Sequence, residues 1–206
     1  MKILLVLLFA LSAVSANCQD VVGHYVLRGV MEVGSEMMLK PDGTFEFMLA
    51  YGAADYWAKG TWRRDGNTVI LQSSGKKEEP FRLQRSEAGK AGQIRVWVIG
   101  QDGKGVENID VYLLAEGEPL HLKTDDKGLA AFPDAPKAHA VGFEIRVYDV
   151  ATKPFAIDAE HKDYYFALNG GAVTELRFEG DKLAIDGNAL VLTKGGETMR
   201  YVKEGD

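Results

Sequence analysis

The sequence predicts an all-β fold, a small antiparallel barrel or meander sheet with a β-sandwich inserted in it. Three observations predict it. Turn signals recur at short intervals: Pro41-Asp42-Gly43, Asp65-Gly66-Asn67, Gln101-Asp102-Gly103, Asp125-Asp126-Lys127-Gly128, Asn169-Gly170-Gly171, Asp186-Gly187-Asn188 and Lys194-Gly195-Gly196. Glycine supplies the positive φ that tight hairpins need, and Asp or Asn bonds its own backbone. The runs between turns alternate with a period of two: Phe45, Phe47, Leu49 and Tyr51 share one face, Thr44, Glu46, Met48 and Ala50 the other. Beyond the first sixteen residues, no window longer than about ten residues carries the 3.6-residue apolar period of an amphipathic helix.

The chain opens with Met1-Lys2, an apolar run from Ile3 to Leu11, and the small residues Val14-Ser15-Ala16. This is the order of a secretory signal, with cleavage expected after Ala16. The run is short for a span, which needs about 20 apolar residues, and nothing later is long and apolar enough to cross a bilayer. Export to a periplasm or the extracellular space is therefore expected. Cys18 is the single cysteine, so no intramolecular disulfide can form. Lipid anchoring at Cys18 is the minority reading, because Ser15-Ala16-Asn17 fits a lipobox poorly. Loss of Lys2 with the signal makes a chain of net charge −6 one unit more negative. No segment holds the basic surplus that nucleic acid would require.

The expected strands follow in order. Gly23–Glu32, Ser35–Lys40 and Thr44–Tyr51 come first, then Tyr56–Arg63 and Thr68–Gln72 across Asp65-Gly66-Asn67, then Phe81–Arg85. Ser86 to Gly92 is small and polar, which reads as a linker. A second set comprises Ile94–Val98, Val111–Leu114, Leu120–Lys123, Leu129–Phe132, Phe143–Tyr148, Tyr164–Leu168 and Thr174–Phe178. Seven strands in about ninety residues suit an immunoglobulin-like or prealbumin-like sandwich. The hairpin strands Lys182–Ile185, Ala189–Thr193 and Met199–Lys203 are too few to bury a core alone. They are expected to return and complete the first sheet as a nine-stranded barrel, which removes exposed edges. The domains are then 17–88 with 181–206, and 91–180. The alternative is that the tail extends the sandwich.

Two likenesses accompany this reading. Ile94-Arg95-Val96-Trp97-Val98, the Asp102-Gly103-Lys104-Gly105 turn, Val111-Tyr112-Leu113-Leu114 and the Thr124-Asp125-Asp126-Lys127-Gly128 turn resemble the carboxypeptidase-regulatory-like and transthyretin-like β-sandwich modules. Val106 stands where those modules usually have Pro. The resemblance implies a non-catalytic module of an exported protein; the Tyr-Arg-Gly-Ser run of the hydrolase branch is absent. Gly23-His24-Tyr25 and Gly60-Thr61-Trp62 are similar to the lipocalin-like small barrels of bacterial envelope proteins. That likeness implies a ligand cavity or a barrel filled by its own side chains.

Chemistry is sparser. His24, His121, His139 and His161 do not pair at metal-ligand spacing, so no metal is expected, and a zinc or copper site would require assembly across the fold. Asp102, Asp125 and Asp126 lack the spacing of a calcium loop and read as turn residues. No nucleophile elbow, metalloprotease helix or phosphate-cradling loop occurs, and no cofactor is expected. Tyr51, Tyr56, Trp57 and Trp62 cluster within twelve residues, as barrel core, cavity lining or partner patch. The expected function is a non-catalytic exported module, structural or binding an envelope protein. The alternatives are a carrier holding a small apolar ligand against Phe45, Phe47, Tyr51 and Trp62, and last a hydrolase.

Overall fold

The computed structural model describes residues 21–133, 138–158 and 160–205; the expected signal segment and Cys18 lie outside the described residues. The fold is all-β. It divides into two compact units, one built from the described residues up to Lys76 and from Glu175 onward, the other from Lys77–Thr174.

The first unit is a closed antiparallel barrel of eight strands. It comprises β1 (Gly23–Arg28), β2 (Val33–Leu39), β3 (Thr44–Tyr51), β4 (Ala54–Asp65), β5 (Thr68–Ser73), β15 (Glu179–Asp186), β16 (Ala189–Lys194) and β17 (Glu197–Lys203). Each strand sends alternate residues inward: Tyr25 and Leu27, Met37 and Leu39, Phe45 and Phe47, Ala58 and Trp62, Val69 and Leu71, Leu183, Leu190 and Leu192, and Tyr201. Burying one such large side chain stabilises by about 1.5–3 kcal/mol. Closure comes from β17, which pairs with β1 (Leu27 opposite Tyr201), while β15 pairs with β5 (Leu183 opposite Val69). At Gly60 the strands β4 and β5 approach so closely that a Cβ would fall 2.0 Å from the Gln72 carbonyl oxygen.

The second unit packs two sheets. One has the order β10 (Leu129–Pro133), β7 (Gln93–Ile99), β14 (Asp163–Leu168), β6 (Phe81–Glu87), with β7 and β14 parallel. The other runs β12 (Val150–Ala151), β11 (Ala140–Ile145), β8 (Asp110–Leu114), β9 (Leu120–Lys123), and β13 (Phe155–Ala156) also pairs with β11. Between them lie Val96, Val98, Val111, Leu113, Val141 and Phe166, with the Phe81 and Phe143 rings stacked at 4.3 Å. The aspartate turns bond to themselves: Asp125 Oδ1 accepts from the Lys127 and Leu129 N–H groups at 2.9 and 2.8 Å. Gly128 holds φ +75° and sits where a Cβ would meet the Val98 carbonyl oxygen at 2.3 Å, so only glycine fits.

Several boundaries differ from expectation, among them Phe143–Tyr148, where the strand is Ala140–Ile145 and Arg146–Tyr148 is a 3-10 turn. Phe81–Glu87 is not a sixth barrel strand: it pairs with β14, placing the division near residue 76 rather than 88. Its inward residue Phe81 joins the aromatic core of the sandwich. Ser86 and Glu87 continue this strand instead of opening a linker. At the other end, Gly170–Thr174 forms a single helical turn, and Phe178 enters the barrel core instead of a sandwich strand. An expected nine-stranded barrel therefore closes with eight.

Candidate functional site

The residues expected to line a ligand cavity divide. Phe45, Phe47 and Trp62 meet inside the barrel, whereas Tyr51 is 62 % exposed. Alternation points Tyr51 inward, but it is the last residue of β3, where the strand turns and the wall no longer encloses it. Tyr56 and Trp57 are half-buried. The interior is occupied by its own rings: Phe178 lies edge-on to Phe45 and Phe47, with centroids 5.5 and 5.1 Å away, and Tyr201 lies 6.2 Å from Phe47. Its polar atoms are bonded within the chain. Tyr25 donates to the Val21 carbonyl at 2.8 Å, Trp62 Nε1 to the Lys40 carbonyl at 3.0 Å, and Ser35 Oγ to the Met48 carbonyl at 2.8 Å while meeting the Tyr201 hydroxyl at 3.0 Å. Burial pushes the Tyr201 hydroxyl pKa up, opposed by the bond to Ser35.

The sandwich does the reverse on one of its faces. Leu129, Trp97, Tyr165 and Arg85 lie abreast on β10, β7, β14 and β6. The Trp97 and Tyr165 rings stack at 4.6 Å and 7°. Arg85 caps the stack 3.9 Å from the Tyr165 centroid, and Arg95 lies 4.8 Å from that of Trp97. Such cation–π contacts contribute about 0.5–2 kcal/mol each. Arg95 is fixed by a two-pronged contact with buried Asp163: Nε donates to Oδ1 at 2.8 Å and a terminal nitrogen donates to Oδ2. That bond raises the Arg95 pKa, against desolvation. The result is a half-exposed, pre-set ladder of arginine and aromatic edges. The same sheet borders a groove of about 920 Å³ with Phe81, Ile99, Phe155 and Leu168 among its walls and Glu78, Glu79, Arg82 and Gln84 beside them.

Two polar groupings accompany the ladder. On the second sheet, buried Asp110 lies 2.6 Å from His121 Nε2, 3.7 Å from Lys123 and 3.5 Å from Arg146. The His121 ring stacks on Tyr112, whose hydroxyl donates to Glu144 at 2.7 Å. Elsewhere Ser86, His161 and Asp158 come together, yet Ser86 Oγ and Asp158 Oδ2 both contact Nδ1 of His161, at 3.0 and 2.8 Å. A serine nucleophile needs the opposite ring nitrogen when the carboxylate holds Nδ1. This trio braces a turn: Asp158 also accepts the Glu160 and His161 N–H groups, and the latter bond is the main cause of its lowered pKa. Among the described residues, no three His, Cys, Asp or Glu side chains are placed to hold a metal.

Sequence reasoning reached Arg95 and Trp97 as residues of one strand but not as half of a ladder. Their partner Tyr165 is some seventy residues away, on a parallel neighbour, and no local signal links them. No protein family, no curated protein and no solved structure matches the chain.

Proposed function

We propose that the chain is an exported, non-catalytic binding module that docks a protein partner on the outer face of the β10-β7-β14-β6 sheet. The observation that carries this reading is the Arg85–Tyr165–Trp97–Arg95 ladder. Trp, Tyr and Arg dominate binding hot spots, and side chains already locked by stacking lose little entropy on association. Arg85, whose Nε lies 3.1 Å from Glu87, and Arg82 beside the ladder are exposed in a chain that is acidic overall, which favours a partner whose carboxylates surround an apolar contact and compete with Glu87 for Arg85. The self-filled barrel interior supports this reading over the apolar-ligand carrier. The basic, apolar and small-residue order of the first sixteen residues supports export.

The test is site-specific photocrosslinking in the native host. A photoreactive residue at Arg82 is expected to give one discrete protein adduct, lost when Trp97→Ala or Arg85→Glu is added. Adducts no stronger than those from a control at Arg63 on the barrel would sink the proposal.

A further inference from the structure

The outer wall of the barrel carries an unusual set of donors. Register places His24 directly opposite Met38, and Glu36 directly opposite Met48, all on the outward face of β1, β2 and β3. Opposed residues bring their Cβ atoms to about 4.5–5.5 Å, and diagonal ones such as Met38 and Met48 to about 7–8 Å, within reach of long side chains. Met38 thus neighbours both His24 and Met48, and the three line one pocket of about 230 Å³ together with Glu36, Phe47 and Glu46, the last directly opposite Met38 and paired with Lys40. Met48 is 53 % exposed, so its thioether adds little to the core. His24 Nδ1 lies 3.1 Å from Glu204 Oε2, and Nε2 lies 2.9 Å from Glu36 Oε2. A carboxylate that holds one ring N–H orients the other nitrogen for a metal, the usual arrangement around ligating histidines.

We propose that Nε2 of His24 and the sulfurs of Met38 and Met48 form a Cu(I) site on the barrel wall, with Glu204 as the carboxylate that orients the histidine. Thioethers are soft donors and select Cu(I), whereas harder dications prefer imidazole and carboxylate sets. Glu36 leaves Nε2 as the metal enters. The site is independent of the partner face on the other unit.

The test uses the full chain carrying Cys18→Ser, because that thiol would bind Cu(I) by itself, and Ag(I) as a redox-inert probe. One equivalent of Ag(I) is expected to shift the NMR methyl signals of Met38 and Met48 and to leave those of Met37 and Met199 in place. Anaerobic competition against a chromophoric Cu(I) chelator should give one Cu(I) per chain. Met38→Leu, Met48→Leu and His24→Gln should each weaken it at least about tenfold. Shifts confined to Met31, or spread evenly over the exposed methionines, would overturn the site. So would an unchanged affinity in the Met38→Leu/Met48→Leu pair. Should a variant unfold, the methyl shifts of the unsubstituted wall decide the matter.

Discussion

In the barrel, β1 pairs with β17 from near the opposite end of the chain, and no strand is left with a free side. In the sandwich, β6 ends one sheet and β9 the other, and Leu83, Leu120 and Leu122 on those strands are exposed. The aromatic side chains follow the same division. Those of the barrel turn mostly inward, with their polar atoms held by the barrel's own backbone and by Ser35. The sandwich keeps a phenylalanine core but also turns Trp97 and Tyr165 outward beneath two arginines. Closure uses the side chains that would otherwise recognise something, whereas an open pair of sheets leaves one face for contact. The barrel also depends on strands distant in sequence, while the sandwich is contained in one continuous stretch, Lys77–Thr174.

The largest expected effect tests that dependence. Deleting 179–206 removes β15, β16 and β17 and should unfold the barrel completely, while a separate 77–174 fragment stays folded. Amide dispersion in NMR spectra of both products checks this, and a folded barrel after truncation would break the comparison. Next, Phe178→Ala should cost the barrel about 3–5 kcal/mol, because the ring packed against Phe45 and Phe47 leaves a cavity. Hydrogen exchange resolved by residue should locate that loss in the barrel alone, and the loss from Phe143→Ala in the sandwich alone.

Alkaline pH sharpens the contrast further. A buried tyrosine in each unit has a raised pKa: in the sandwich burial, then the nearby Asp158 charge, pushes Tyr164 up to about 12, and in the barrel burial raises Tyr201. The unfolded tyrosine ionises near pH 10, so the folded state holds its full advantage below that value. The advantage is lost as pH rises from about 10 through the folded pKa. Tyr164→Phe should flatten this decline in the sandwich only and Tyr201→Phe in the barrel only. At neutral pH Tyr164→Phe should cost about 1 kcal/mol for the bond to the Asp158 carbonyl. The smallest effect is at acid pH. Asp42 in the barrel, bonded by the Thr44 hydroxyl and N–H, and Asp158 in the sandwich both have lowered pKa values. Their contribution is present above pH 3.8 and disappears as pH falls through the folded values. The difference in melting temperature between the protein and Asp42→Asn or Asp158→Asn should therefore shrink below that pH.

Local chemistry made some elements readable and left others hidden. Thr44–Tyr51 matches β3 residue for residue, and the hairpin around Asp65-Gly66-Asn67 lies where its turn signal placed it, because alternation and turn type act over a few residues. Phe81–Arg85 reads equally well as a strand, yet it pairs with β14 in the sandwich and not within the barrel. Nothing inside it states which neighbour its N–H groups will find. Thr174–Phe178 also alternates, but one turn of helix and the pull of Phe178 into the barrel core override that period. Of the cavity residues, alternation located Phe45, Phe47 and Trp62 inside but misjudged Tyr51, since a face persists only while its strand does.

Most of the strands and their turns, the faces on which their apolar residues lie and the scarcity of helix are legible in the sequence, whereas the short strands Val150–Ala151 and Phe155–Ala156 are not. These properties arise from φ/ψ preferences and side-chain periods within about ten residues. Long-range pairing closes the barrel at eight strands, gives β6 to the sandwich and brings Arg85, Tyr165, Trp97 and Arg95 together. Each of those outcomes rests on hydrogen bonds and ring contacts between segments far apart in the chain, which compete for partners only once the sheets assemble.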